Sequence, residues 1–181
     1  MTAILRSLCH IVDSVVRVCG KGAALLMPVL AFIVAFEVFS RYVLNSPTIW
    51  AFDLSLFLFG YIAALGGAYA QQQRAHINVD ILYYRVSKRS RAVFNLISWA
   101  LGIFFLILVV KMSFGKFEEA IEYDYRRQSE WSPPMFHFWI MMMVAAGLFI
   151  AQLARDMLAE VYYLMSGQPL IAHNEENEAG E

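Results

Sequence analysis

Between Ala92 and Val110 the chain runs without a single charged side chain, and three other stretches come close to doing the same. Crossing about 30 Å of hydrocarbon takes roughly 20 residues of helix, so each of these stretches is read as a membrane span. The second runs from Ile49 to Ala70 with one charge, Asp53, near its start. The fourth, Trp131 to Ala154, carries none. The first is less clean. Gly22 to Phe36 is uncharged but short, so the span has to continue through Glu37 and Arg41. Those two lie four apart on one helical face, where opposite charges can pair at the membrane edge. The fold class is therefore an all-α membrane protein of four transmembrane helices plus amphipathic interfacial helices. Composition agrees: 60% of the 181 residues are apolar and 16% charged, against about 45–50% and 25% in soluble domains.

The spans are expected at about 22–44, 49–72, 92–112 and 133–158 within a membrane domain covering 22–168. Ahead of them, residues 1–21 form an amphipathic helix: Arg6, His10, Asp13, Arg17 and Lys21 recur at intervals of three or four, with Leu5, Leu8, Val12, Val15 and Val16 opposite. Such a helix lies on the membrane or extends the first span inward. The first apolar stretch starts only after Lys21, contains Pro28 and ends at Glu37 and Arg41 without a small-residue cleavage site. It is read as retained rather than as a secretion signal. A second interfacial helix is expected at about 78–88. Residues 169–181, ending HNEENEAGE, read as a disordered acidic tail.

Lysine and arginine orient the spans. With the amino terminus inside, Arg6, Arg17, Lys21, Arg74, Arg85, Lys88, Arg89, Arg91 and Arg155 face inward, while Arg41, Lys111, Lys116, Arg126 and Arg127 face outward. Both termini are thus expected on the inner side. The outer loop between spans three and four, GKFEEAIEYDYRRQSEWSPP, is acidic on balance. Its first half should prolong span three past the bilayer surface, and Pro133 and Pro134 should open span four.

Other chemistries fail on geometry. A net charge of -1 gives no basic face for nucleic acid. Cys9 and Cys19 fit neither a disulfide framework nor a metal knuckle. Haem would need axial histidines at one depth, but His76 and His137 fall at opposite membrane faces. No HExxH, GxSxG, CxxC or phosphate-cradling loop appears, so no catalytic residue and no cofactor of this chain is predicted. The apolar spans offer almost no ionisable residue near the midplane, where ion-coupled carriers place theirs. Gly60, Ala63, Ala64, Gly66, Gly67 and Ala68 on span two can let another helix come close, from this chain or from a partner.

From Phe36 to Arg91 the order of features resembles the small membrane subunit of tripartite ATP-independent periplasmic (TRAP) transporters. Arg41 and Tyr42 close the first span, and Trp50 and Asp53 open the second. Gly66 to Ala68 form a small-residue stretch, and His76, Ile77, Val79, Asp80 and Leu82 make an H-I-x-V-D-x-L motif. The acid is Asp53 where many members carry Glu. The resemblance implies a subunit that braces a large multi-span transporter subunit, which holds the substrate and sodium sites, in a bacterial inner membrane. A periplasmic solute-binding protein would deliver an organic acid, a carboxylate or sulfonate.

On that reading Glu37, Arg41, Trp50, Asp53, Gly66, Gly67, Arg74, His76 and Asp80 fix the fold or the partner interface. Glu37 and Arg41 would pair with each other or hold Asp53, and Asp80 would cap the inner interfacial helix. Arg85, Lys88, Arg89 and Arg91 would touch lipid headgroups. Glu118, Glu119, Glu122, Asp124, Arg126, Arg127 and Glu130 would help dock the binding protein. The alternative class is a stand-alone four-span structural or channel-forming homo-oligomer. Against a pore stands the isolation of the polar residues in spans three and four, such as Asn95, Ser98 and Gln152.

Overall fold

A computed structural model describes residues 2–73 and 88–166. Within them lie four helices: α1 (Thr2–Tyr42), α2 (Ala51–Gln72), α3 (Lys88–Glu122) and α4 (Phe136–Ser166). All four are long and apolar enough to cross a membrane. The expected interfacial helix at 78–88 and the acidic tail at 169–181 fall outside the described residues, apart from Lys88 at the start of α3.

The amphipathic segment and the first span are one helix. α1 runs through 41 residues, about 60 Å at 1.5 Å per residue, and carries Pro28 in its interior. Of the two arrangements expected for residues 1–21, lying on the membrane or extending the first span inward, the structure shows the extension. The break in composition is not a break in structure, because Asp13 and Cys9 are turned into the bundle while the basic residues face out. α3 and α4 likewise overrun the expected spans, at 35 and 31 residues.

α1 packs on α2, α2 on α4, α4 on α3, and α1 meets α4 over a shorter stretch. The interior is built mostly from small side chains. Ala23, Ala51, Ala68, Ala92, Ala120, Ala145 and Ala146 are all buried, whereas Leu25, Phe32, Leu101, Phe104 and Phe105 stand exposed. This inverts the arrangement of a soluble core. Lipid tails solvate large apolar groups as well as a neighbouring helix does, so helices associate where small residues admit close backbone approach. Gly20 is such a point: a Cβ there would fall 2.4 Å from the ring of Tyr69 on α2. Gly20→Ala should therefore lower stability by about 1–3 kcal/mol, the usual cost of overpacking. Gly66→Ala, which meets nothing within 4 Å, should leave it unchanged; SDS titration in mixed micelles compares them.

The outer loop has a defined shape. α3 ends with Asp124 in the left-handed region (φ 44) while the Tyr125 N–H bonds the Ala120 carbonyl at 3.0 Å, a Schellman closure. The chain then doubles back: Arg127 N–H donates to Pro133 O at 3.0 Å, Met135 N–H to Tyr125 O at 3.1 Å, and Arg126 bridges Pro134. The two prolines, expected to open span four, instead form the return limb, and α4 starts at Phe136. Proline lacks an N–H but keeps its carbonyl, so Pro133 serves here as an acceptor.

Candidate functional site

Two polar clasps tie the helices together, one at each end of α2. About 27 Å of helix, at 1.5 Å per residue, separates Asp53 in the first clasp from Gln71 in the second. That spacing is close to the hydrocarbon thickness of a bilayer.

The first clasp gathers the outer loops. Asp53, in the first turn of α2, is only 1% exposed. It accepts hydrogen bonds from Arg127 Nε at 2.5 Å and from the Ser129 hydroxyl. Ser129 Oγ in turn receives the Ser132 N–H at 3.2 Å, and the Arg127 guanidinium lies 5.8 Å over the Phe52 ring. A carboxylate in the first turn also meets the positive end of the helix dipole. Beside this, one oxygen of Glu37 takes Arg41 Nε at 3.0 Å and Nη2 at 2.5 Å. Its other oxygen takes the Thr48 N–H at 3.1 Å and the Thr48 hydroxyl. Phe36 and Trp50 stack at 6.1 Å, so the short α1–α2 connection is held at both ends. Of the two roles considered for Glu37 and Arg41, the pair forms, and Asp53 is held from the outer loop instead. Below it, the Tyr61 hydroxyl lies 2.5 Å from His137 Nδ1 within a cluster that includes Phe57 and Phe138.

The second clasp is the part that sequence reasoning missed. Arg155 on α4 reaches Asp13 of α1 through Nη2 at 2.7 Å and Asp156 through Nη1 at 3.0 Å. Three glutamines complete it. Gln71 Nε2 donates to Asp156 at 3.1 Å, and Gln72 Nε2 donates to the Asp13 backbone carbonyl at 2.8 Å. Gln152, 1% exposed, points its amide nitrogen between the two carboxylates, 3.5 Å from Asp13 Oδ1 and 3.3 Å from Asp156 Oδ1. The expectation of almost no ionisable group applied to the midplane, and this clasp lies toward the inner edge; Gln152, however, was expected to stand alone. Instead three charged side chains meet where α1, α2 and α4 converge. Each looked harmless separately: Asp13 sat on the polar side of an amphipathic helix, and Arg155 counted as an inner flanking charge. The available signal was Gln152, Arg155 and Asp156 at i, i+3 and i+4, one helical face turned toward a neighbour.

The remaining predicted residues are scattered. Gly67 lies against Phe149 while Gly66 faces open space, so the two do not act as one contact. Arg74, His76, Asp80 and Arg85 fall outside the described residues. Lys88, Arg89 and Arg91 lie in the first turn of α3. On the outer loop Glu119 pairs with Lys116 at 2.6 Å and Asp124 with Arg126 at 3.0 Å, both on the surface. Glu118, Glu122 and Glu130 are exposed, and Arg127 is spent on Asp53. Among the described residues no group of three or more His, Cys, Asp or Glu is arranged to hold a metal.

Comparison with known proteins places this architecture. Residues 30–161 match the family model for tripartite ATP-independent periplasmic transporters, DctQ component. The C4-dicarboxylate TRAP transporter small permease protein DctQ of Vibrio cholerae is 26% identical over 87 residues, 48% of this chain and 38% of that protein. The sialic acid TRAP transporter small permease protein SiaQ of the same organism is 27% identical over 66 residues, 36% of this chain and 38% of its own length. In Haemophilus influenzae the sialic acid TRAP transporter permease protein SiaT is 26% identical over 99 residues, which is 55% of this chain but 16% of SiaT. The chain thus spans well under half of each of these relatives. With four apolar helices and a family match over most of its length, this multi-pass membrane protein belongs to the DctQ-component family, the small permease subunits of TRAP transporters.

Proposed function

We propose that the chain is a non-catalytic brace for a large permease chain in ion-coupled uptake of an organic acid, a carboxylate or sulfonate. The observation that supports this best is where the charge goes. Asp13, Asp53, Arg127, Arg155 and Asp156 are consumed in contacts between this chain's own helices and loops. That pattern suits a rigid frame better than a solute path, which needs polar groups free to meet the solute. The relatives' names point the same way, since the stretch matching SiaT is a small part of a much longer permease. Substrate and sodium sites are accordingly assigned to the large chain. The inner-membrane location with both termini cytoplasmic rests on the asymmetry of Lys and Arg.

The exposed stripe Phe52, Leu56, Phe59 and Ala63 on α2, continued by Gly66, is the face assigned to the large chain. Co-expression with the large permease and purification in mild detergent should yield a stoichiometric complex. Recovery of this chain as a homo-oligomer alone would overturn the assignment. Docking of a periplasmic binding protein is assigned to the unpaired acids of the outer loop. Reversal of Glu118, Glu122 and Glu130 to Lys should slow uptake into proteoliposomes several-fold, because rim charges act on the association rate. The two membrane subunits should stay together. Uptake at the wild-type rate removes that docking role.

A further inference from the structure

Arg17 and Lys21 lie one turn apart on α1, both exposed. Arg41, Lys116, Arg126, Arg127 and Arg155 each hold a carboxylate, but Arg17 and Lys21 have no hydrogen-bond or ion-pair partner among the described residues. Their depth makes this costly. Glu37, bonded to Thr48 of the connecting loop, is assigned to the outer edge of the hydrocarbon, with the rest of the span to Tyr42 in the interface. From Glu37 to Lys21 the helix travels about 24 Å at 1.5 Å per residue, less than the roughly 30 Å of a hydrocarbon core. The Lys21 backbone therefore starts inside the opposite edge, with Arg17 one turn nearer the headgroups. Long basic side chains at that depth extend toward the interface, where the anion on offer is a phosphate. A guanidinium fork grips phosphate through two bonds and an ammonium adds a point charge.

The surface beyond the pair has the form of an acyl chain. The spacing of Arg17 and Lys21 continues through Ala24, Pro28, Ala31 and Ala35, all exposed. These small residues form a trough. Leu25 and Phe32, at 72% and 71% exposure, wall one side, and Met27 and Val34, at 59% and 46%, wall the other.

We propose that this flank of α1 binds an anionic phospholipid, its phosphate at Arg17 and Lys21 and one acyl chain along Ala24, Pro28, Ala31 and Ala35. The site rests on the membrane-spanning fold and does not depend on which large permease the chain serves. The test titrates phosphatidylglycerol into the full chain in mild detergent and reads bound lipid by native mass spectrometry. R17Q/K21Q should weaken binding about 30-fold, from roughly 1 kcal/mol per basic side chain at a membrane surface, and R17K/K21R should retain most of it. Phosphatidylcholine should bind more weakly than phosphatidylglycerol to the native chain. A24L/A31L fills the trough without touching charge and should also weaken binding. Lys111, exposed on α3 and likewise without a partner among the described residues, is the control: K111Q should bind as the native chain does. Native affinity in R17Q/K21Q, or an equal loss in K111Q, overturns the proposal. So does a double variant that keeps the lipid but releases the large permease, which would give this flank to a protein partner.

Discussion

Arg155→Met should be the most damaging single change in the membrane domain, lowering stability by about 3–5 kcal/mol. Among the described residues the guanidinium is the cation shared by Asp13 and Asp156, and the three side chains are only 13–17% exposed. Without it, two carboxylates face each other across Gln152 with amide groups as their remaining donors. A buried charge left unpaired costs far more than the pair contributed, because ion pairing only offsets desolvation already incurred. The triple neutral variant D13N/R155Q/D156N should therefore be more stable than R155M, although it alters three residues instead of one. The intrinsic fluorescence of Trp50, Trp99, Trp131 and Trp139 during SDS titration gives the order. A triple variant less stable than the single one would mean that the clasp acts through attraction, not through the cost of breaking it.

The second large effect is an asymmetry at the other end of α2. Arg127→Ala should cost about 3 kcal/mol or more, and Asp53→Ala clearly less. Asp53 is sealed in at 1% exposure while the Arg127 side chain keeps 32%. Removing the arginine strands a buried carboxylate with the Ser129 hydroxyl and the dipole of α2 for support. Removing the aspartate releases an arginine that can turn to water, at a cost nearer that of losing a charged hydrogen bond, about 1.5–3 kcal/mol. Both variants should free the outer loop, seen as faster protease cleavage between Tyr123 and Met135. Equal costs, or a loop as resistant as the native one, would show that Asp53 does not anchor it. The docking proposed for the loop should suffer in parallel, since Glu130 lies one residue beyond Ser129.

Most of the architecture was readable residue by residue. Four apolar stretches of spanning length, divided by charged turns, leave helices as the only way to satisfy the backbone in lipid. Glu37 and Arg41 announce their pairing by a four-residue spacing, since neighbours on one helix are set by helical geometry alone. The ends of the elements were less legible. Pro133 and Pro134 obey a sound rule for helix starts, yet the hairpin bonds of Arg127 and Met135 claim that segment first. The sequence left α1 between two arrangements, because a change from mixed to apolar composition at Lys21 marks a change of surroundings and does not say whether the helix continues.

What the sequence by itself determined was thus the membrane, the number of crossings and the local pairs. Each of these depends on how residues partition into lipid or on contacts within one helix. Tertiary structure alone decided that Asp13, Gln72 and Arg155 meet, that Arg127 reaches back to Asp53, and that Gly20 rather than Gly66 receives a neighbouring side chain. Those contacts join residues 49 to 142 positions apart. They depend on how helices cross and how far each is turned about its axis, which helical periodicity leaves undetermined until the helices pack.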